Sequence, residues 1–302
     1  MQQTFNNQYV NNMHSEFINL FHELGLPMHF NHTGTKTFTN YHRIAVIVLY
    51  YRSKKSLRDF VEELNESKWI SWLGLKKDPK KSTLHDWLKL FGMKALRLMN
   101  SLVLPKNSKL TAIDGSGVDS WQRSRHYARR IGEPPMPYAK IDLFVDVEKQ
   151  MILDFSLIMK KEHDSKSATK IFKRNNLRDK IILGDKGYDS EPLHKVALSK
   201  KNTLFAPVRE SSRTNPKGWN RRRCAKRDEE YNQRVNVESC IHSLKKRRIP
   251  ILRSKLHYMK KREMGWTLIA YNLDKLAKAV SSQLRRLLEM LILTNQTVTT
   301  LF

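Results

Sequence analysis

Residues 139–159, AKIDLFVDVEKQMILDFSLIM, decide the fold, because they hold two apolar runs on either side of a short polar break. Both runs are rich in β-branched and aromatic residues, which favour strands, and Glu148-Lys149-Gln150 between them is typical of a turn. The pattern therefore predicts two strands, 139–147 and 151–159, that pair as a hairpin.

Three more apolar runs have the length and composition of strands. They are LTAID at 110–114, KIILGD at 180–185 and TLFAPV at 203–208. Helical patterns separate the later strands. The first predicted helix begins near Asp164 or Ser165, and the second covers EPLHKVALS at 191–199. The third follows the last strand and runs from about Asp228 to Arg248, before Pro250. Three strands followed by alternating helices and strands predict an α/β domain, residues 106–278, with helices around a mixed sheet.

The first hundred residues predict helices instead. One covers 41–52, one begins at Ser56 with SLRDFVEEL, and one covers STLHDWLKLFGMKALRLM at 82–99. Short helices with several lysines nearby fit a helix-turn-helix module that binds DNA, assigned to residues 1–105. A small helical bundle that packs on the next domain is the alternative. The lysines are Lys76, Lys77, Lys80 and Lys81.

The chain is strongly basic, with 56 Lys and Arg against 29 Asp and Glu and a net charge of +27. Residues 209–262 alone hold 18 basic and 5 acidic residues. A surface this positive favours a polyanionic partner. Within this segment, Arg221, Arg222 and Arg223 either contact phosphates or form a solvated face.

Several classes of protein are excluded by composition. The longest apolar run, 44–51, is too short to cross a membrane, and the first residues lack the pattern of a signal peptide. Two cysteines cannot form a disulfide framework, and their spacing matches no familiar zinc site. We expect an intracellular protein without a membrane partner, located in the cytoplasm and associated with the nucleoid if the host is a prokaryote.

Two aspartates lie where predicted strands end. Asp114 closes the first strand and Asp185 the fourth, and each is followed by turn residues. In an open α/β sheet such strand ends border the usual crevice for a ligand. Each aspartate by itself is also an ordinary residue for a turn.

A third carboxylate lies on the last predicted helix. At about 100° per residue, Tyr231, Arg234, Glu238 and Lys245 fall on one narrow stripe, beside an apolar arc that would be buried. The stripe could be a surface ladder of ion pairs. Combined with Asp114 and Asp185, however, it fits a site for a hard divalent cation such as Mg²⁺, with Arg234 and Lys245 holding phosphate.

These motifs resemble a known family. AIDGSG around Asp114, LGDKGYDS around Asp185, and Y-(2)-R-(3)-E-(6)-K from Tyr231 to Lys245 are similar to the insertion-sequence DDE transposases with the Y-R-E-K signature. The resemblance covers about residues 40–280 and includes all four signature residues. It implies an RNase H-like catalytic domain, preceded by an all-α helix-turn-helix-like module and without the large β insertion of some relatives.

The resemblance also implies a site and a reaction. Asp114, Asp185 and Glu238 would bind two Mg²⁺ ions, with Mn²⁺ as a substitute, and would be the catalytic residues. The enzyme would cleave the ends of an insertion sequence and join their 3′-OH ends to target DNA. Its partner would be double-stranded DNA, both the terminal inverted repeats and the target. A structure-selective nuclease without strand transfer and a DNA-binding regulator with vestigial carboxylates are the alternatives.

Two further features of the sequence each allow two interpretations. Trp219, beside the three arginines, could stack on a DNA base or could anchor its loop. The stretch SSQLRRLLEMLIL at 281–293 predicts an apolar helical stripe within a tail, residues 279–302. This stripe either folds back on the N-terminal module or forms the contact of a homodimer on DNA, and we expect the dimer.

Overall fold

The structure is a computed structural model. It describes residues 2–30, 36–104, 108–118, 130, 132, 139–160, 162–209, 218–224, 229–247 and 251–299, and all structural statements concern these residues. For 2–10, 229–230, 247 and 281–299 it describes the backbone alone.

The helices are α1 (Gln2–Leu24), α2 (Asn40–Ser53), α3 (Leu57–Glu66), α4 (Trp69–Trp72), α5 (Lys81–Trp87), α6 (Met93–Val103), α7 (Asp164–Arg174), α8 (Glu191–Leu198), α9 (Trp219–Arg223), α10 (Val235–Arg247) and α11 (His257–Thr299). Short 3₁₀ turns cover Lys186–Tyr188 and Glu229–Arg234. The described part of the chain contains no helix that is both long and apolar enough to cross a membrane.

Five strands form a single mixed sheet. They are β1 (Leu110–Val118), β2 (Ala139–Asp146), β3 (Met151–Ile158), β4 (Ile181–Gly184) and β5 (Thr203–Phe205), in the order β3-β2-β1-β4-β5. The β1–β2 and β2–β3 pairs are antiparallel, whereas β1–β4 and β4–β5 are parallel. All five predicted strands are present. The predicted α/β fold class, a mixed sheet flanked by helices and preceded by an all-α region, is confirmed.

The chain divides into two compact units. One combines residues 1–91 with 269–302, and the other covers residues 92–268. This division differs from the three domains expected from the sequence, 1–105, 106–278 and 279–302. Compactness does not test which segments fold independently, so those boundaries stay a prediction.

In the first unit, apolar residues at helical spacing build the core. Met13, Phe17 and Leu20 of α1 are buried, as are residues 44–49 of α2. Thr39 caps α2 through the amide of His42, and Ser56 caps α3 through the amide of Asp59, as the sequence predicts for α3.

In the second unit, α7 and α8 pack on the sheet through one apolar cluster, and α10 packs on β1 and β2. The cluster contains Ile113, Phe144, Leu153, Ala168, Ile171, Phe172, Ile182, Tyr188, Leu193, Ala197, Leu204 and Ala206. The predicted buried arc of α10 is confirmed, because Val237, Cys240, Ile241 and Leu244 are all buried.

Two predicted helices differ from those observed. The helix predicted over 82–99 is interrupted, since α5 ends at Trp87 and Gly92, whose backbone is extended, is the N-cap of α6. The helix predicted to begin at Asp228 has a 3₁₀ turn up to Arg234 and becomes an α-helix only at Val235. Its predicted end, Arg248 and Pro250, lies outside the described residues. The backbone of 281–293 belongs to the single long helix α11, and its side chains lie outside what the structure describes.

Candidate catalytic and DNA-contact site

Strand register brings Asp114 beside Asp185. Ile113 pairs with Gly184 in the parallel β1–β4 ladder, and the two aspartates are the next residues on each chain. The strand predicted to end at Asp114 in fact continues to Val118, because β2 still pairs with it on the other side. Asp114 therefore lies at the point where parallel pairing stops and a crevice can open.

Asp185 begins a tight turn. Its Oδ1 atom accepts the amide hydrogen of Gly187 at 2.7 Å, which closes the 3₁₀ turn after β4. A Cβ atom at Gly187 would lie 2.5 Å from Asp164 Oδ2 and 2.7 Å from Asp185 Oδ1. A larger residue at this position would therefore displace at least one of the two carboxylates.

Burial and like charge act on Asp114. Burial is the main cause that raises its pKa to about 6, and the carboxylates of Asp185 and Glu238 raise it further. The amide of Gly115, 2.8 Å from Asp114 Oδ1, and the guanidinium of Arg234 act in the opposite direction. The raised pKa of Asp114 thus reflects its burial and the nearby carboxylates of Asp185 and Glu238.

Arg234 links two of these carboxylates. Its Nη2 atom lies 2.8 Å from Glu238 Oε1, and its Nη1 atom lies 3.8 Å from Asp114 Oδ2. The guanidinium also lies 6.0 Å from the ring centroid of Tyr231, which packs against Phe205. Although Tyr231 and Arg234 belong to a 3₁₀ turn rather than to the helix, the structure still groups them with Glu238.

Lys245 reaches the same strand from further along α10. Its Nζ atom donates to Ser116 Oγ at 2.8 Å, two residues beyond Asp114. Five of the residues expected from the sequence to form the site are therefore near one strand. They are Asp114, Asp185, Arg234, Glu238 and Lys245.

A buried polar layer next to the aspartates was missed by the sequence reasoning. Tyr188 donates to Asp142 Oδ1 at 3.1 Å, and Lys140 pairs with both Asp142 and Asp164. Burial raises the pKa of Asp142 and raises that of Tyr188 well above its usual value. A charged residue inside the apolar run AKIDLFVDV is the signal that could have identified this layer.

The remaining basic candidates lie on α9. Arg221 binds the carboxylate of Asp189 with two hydrogen bonds, of 2.6 and 2.5 Å. Arg222 and Arg223 are exposed, and the guanidinium of Arg223 lies 5.0 Å from the ring centroid of Trp219. Trp219 is 67% exposed, so its ring is accessible to a ligand.

The donor set of the site consists of oxygens alone, which suits Mg²⁺ or Mn²⁺. Among the described residues, no three Asp, Glu, His or Cys side chains converge closely enough to hold a metal ion as they stand. Arg234 lies between Asp114 and Glu238 and supplies positive charge there. The carboxylates fit a divalent cation in chemistry, and they would have to approach one another to bind it.

Comparison with known proteins identifies the family. The profile described as "Transposase DDE domain" matches residues 105–273, more than half of the chain. Among solved structures, the cryo-EM structure of a piggyBac transposase synaptic complex with hairpin DNA is 13% identical, with a TM-score of 0.47. That alignment covers 93% of this chain and 75% of the other. No curated protein sequence matches significantly. The match over residues 105–273 shows that this chain belongs to the family of transposases with a DDE domain.

Proposed function

We propose that this transposase cuts the ends of an insertion sequence and joins the freed 3′-OH ends to target DNA. The observation that carries the proposal is the position of Asp114 beside Asp185 where the parallel pairing of β1 with β4 stops, with Arg234 paired to both Asp114 and Glu238. These three carboxylates are the proposed catalytic residues.

Asp114, Asp185 and Glu238 would hold two Mg²⁺ ions per site, with Mn²⁺ as a substitute. Bound ions of this kind activate a water or hydroxyl nucleophile and stabilise the leaving oxygen. The raised pKa of Asp114 supports this role, because a buried carboxylate near two others gains from added positive charge.

The cations around the carboxylates would hold the DNA. Arg234 presents a planar guanidinium suited to a phosphate, and Lys245 presents an ammonium group beside β1. Tyr231 would contact the backbone or a base from the same turn. On α9, the exposed Arg222 and Arg223 would contact phosphates, and Trp219 would stack on a base.

The proposed partner is double-stranded DNA, first the terminal inverted repeats and then the target. The net charge of +27 supports it, since phosphate contacts by many cations provide most of the affinity for DNA. We assign recognition of the element ends to residues 1–105. Two protomers would hold the two ends, with the tail 279–302 as the dimer contact.

The test is an assay with labelled element ends, Mg²⁺ and a target plasmid. Asp114→Asn, Asp185→Asn and Glu238→Gln preserve shape and remove charge, and each should lower cleavage by about 100-fold or more while leaving end binding largely intact. Glu148→Gln, in the exposed turn between β2 and β3, is the control and should cleave normally.

Each alternative has its own outcome in this assay. Near-normal Mg²⁺-dependent cleavage by Asp185→Asn would refute the assignment of the site. A protein that cuts but cannot transfer a pre-cut 3′-OH end would be a nuclease. One that binds the ends without cutting would be a regulator.

A further inference from the structure

Asp189, which directly follows the turn of Asp185, is a buried carboxylate with two arginine partners. Its side chain is 0% exposed. Arg221 Nε donates to Oδ1 at 2.6 Å, Arg221 Nη2 donates to Oδ2 at 2.5 Å, and the backbone amide of Arg209 donates to Oδ2 at 3.0 Å. Burial alone would raise the pKa of Asp189, but these hydrogen bonds hold it below its usual value. The carboxylate is therefore ionised and paired.

Of these two arginines, Arg209 also bonds to the turn itself. The side chain of Arg209 donates to the carbonyl oxygens of Lys186 at 2.7 Å and Gly187 at 3.1 Å. Asp185 directly precedes this turn and caps it through the amide of Gly187, and Asp189 follows it immediately. Arg209 and Arg221 thus restrain the backbone that orients the carboxylate of Asp185.

Arg221 belongs to α9, and hydrogen bonds join α9 to the start of α8. Glu191 accepts hydrogen bonds from Asn220 Nδ2 at 2.8 Å and from the amide of Arg221 at 3.2 Å. Gly218, at φ +114°, lies so close to the Glu191 carboxylate that a Cβ atom would collide with it. The turn of Asp185, the start of α8 and α9 are therefore one connected assembly.

We propose that Arg221 and Asp189 are positioning residues, which together fix Asp185 and the arginines of α9 relative to each other, and that Arg221 does not contact DNA. The buried carboxylate already compensates the charge of this guanidinium and takes hydrogen bonds from its Nε and Nη2 atoms, so Arg221 has less positive charge to offer a phosphate than an exposed arginine has. Arg222 and Arg223 are exposed, and among the described residues neither is paired with a buried carboxylate. The loss of activity predicted below rests on the proposed function, whereas the test of backbone order does not.

The test compares Arg221→Lys, Arg221→Ala and Asp189→Asn with the matched control Arg222→Ala. Lysine keeps the charge but cannot form the paired hydrogen bonds. We call Arg221→Lys, Arg221→Ala and Asp189→Asn the clamp variants, because each disrupts the pairing of Arg221 with Asp189. For these three we expect dissociation constants for DNA of the element ends within about twofold of the parent, and cleavage at saturating DNA and Mg²⁺ that is slower by about 10-fold or more. Arg222→Ala should instead weaken binding and lower the slope of log affinity against log salt by about 1.

Hydrogen exchange gives a readout that does not depend on catalysis. In the full-length protein, amides of 186–191 should exchange faster in all three clamp variants and not in Arg222→Ala. The double variant of Arg221→Ala with Asp189→Asn should be no worse than the more severe single variant, because both changes break one interaction.

Two results would overturn the proposal. One is Arg221→Ala behaving as Arg222→Ala does, with weaker binding and a lower salt slope. The other is Asp189→Asn matching the parent in both exchange and rate. If none of the proteins cleaves DNA, the proposed function fails, and the exchange data still decide the positioning role. Should Arg221→Ala fail to fold, Arg221→Lys and Asp189→Asn carry the test.

Discussion

At the scale of single residues, Asp114 carries the clearest conflict between function and stability. It is mostly buried, it lies near two other carboxylates, and its pKa is raised to about 6. At neutral pH the ionised carboxylate of Asp114 therefore lowers the stability of the folded protein, whereas an uncharged residue at this position would not. Such a cost is common at sites that bind metals or substrates.

Asp114→Asn should stabilise the protein in metal-free buffer with a chelator at pH 8. Because the folded-state pKa lies above the ordinary 3.8, the parent is favoured at low pH and loses stability as the pH rises through about 6. The gain in free energy of unfolding should be on the order of 1–3 kcal/mol at pH 8 and should shrink towards pH 4.

Chemical denaturation of both proteins across this pH range provides the measurement. Glu148→Gln, at an exposed turn, should have the same free energy of unfolding as the parent at every pH. An Asp114→Asn gain that stays constant between pH 4 and pH 8 would show that titration of this carboxyl is not its cause.

At the scale of elements, the junction between the 3₁₀ turn Glu229–Arg234 and α10 positions Arg234 and Glu238 near Asp114. The turn places Arg234 between Asp114 and Glu238, which lies one helical turn further along. A cation already occupies the space between these carboxylates, which agrees with their present separation. Arg234 and a divalent ion should therefore compete for the same oxygens.

Arg234→Gln should tighten Mn²⁺ binding in the absence of DNA. Removal of a positive charge within about 4 Å of two proposed ligands is worth roughly 1–2 kcal/mol at an effective dielectric of about 40–80, or about 10-fold in affinity. Calorimetry or electron paramagnetic resonance of Mn²⁺ measures this directly. Arg222→Ala, on α9, controls for the loss of one charge from the whole protein, and equal affinities in both variants would contradict the competition.

At the scale of the whole molecule, the tail 279–302 is the segment proposed to join two protomers. The backbone of residues 279–299 belongs to α11, which continues to Thr299. The apolar residues of 281–293 recur at helical spacing, so the sequence predicts an apolar stripe that needs a partner. A dimer would supply two active sites for two element ends.

Deletion of residues 281–302 should leave binding of a single end unchanged and should reduce the paired-end complex by about 10-fold or more, as expected when a linked second contact is lost. Native gels with one labelled and one unlabelled end separate the two complexes. The full-length chain with Glu148→Gln serves as the control. Normal paired-end assembly by the truncated protein would refute the dimer role of the tail.

Sequence patterns determined the elements of this protein, because strand and helix periodicities are local properties. The apolar runs around 139–159 predict the hairpin, and the spacing of Val237, Cys240, Ile241 and Leu244 predicts the buried arc of α10, since each pattern lies within one element. The candidate carboxylates are also visible in the sequence, as acidic residues at predicted strand ends and on one helical stripe.

Tertiary structure alone decided which of these groups meet. The register of β1 against β4, which places Asp114 beside Asp185, depends on pairing between residues about 70 positions apart. The partner of Arg221 was equally hidden: three consecutive arginines look alike in sequence, yet only Arg221 among them binds the buried Asp189 in the described part of the chain. A local pattern specifies the backbone, whereas the charge of a side chain acquires its role only from the groups that folding brings beside it.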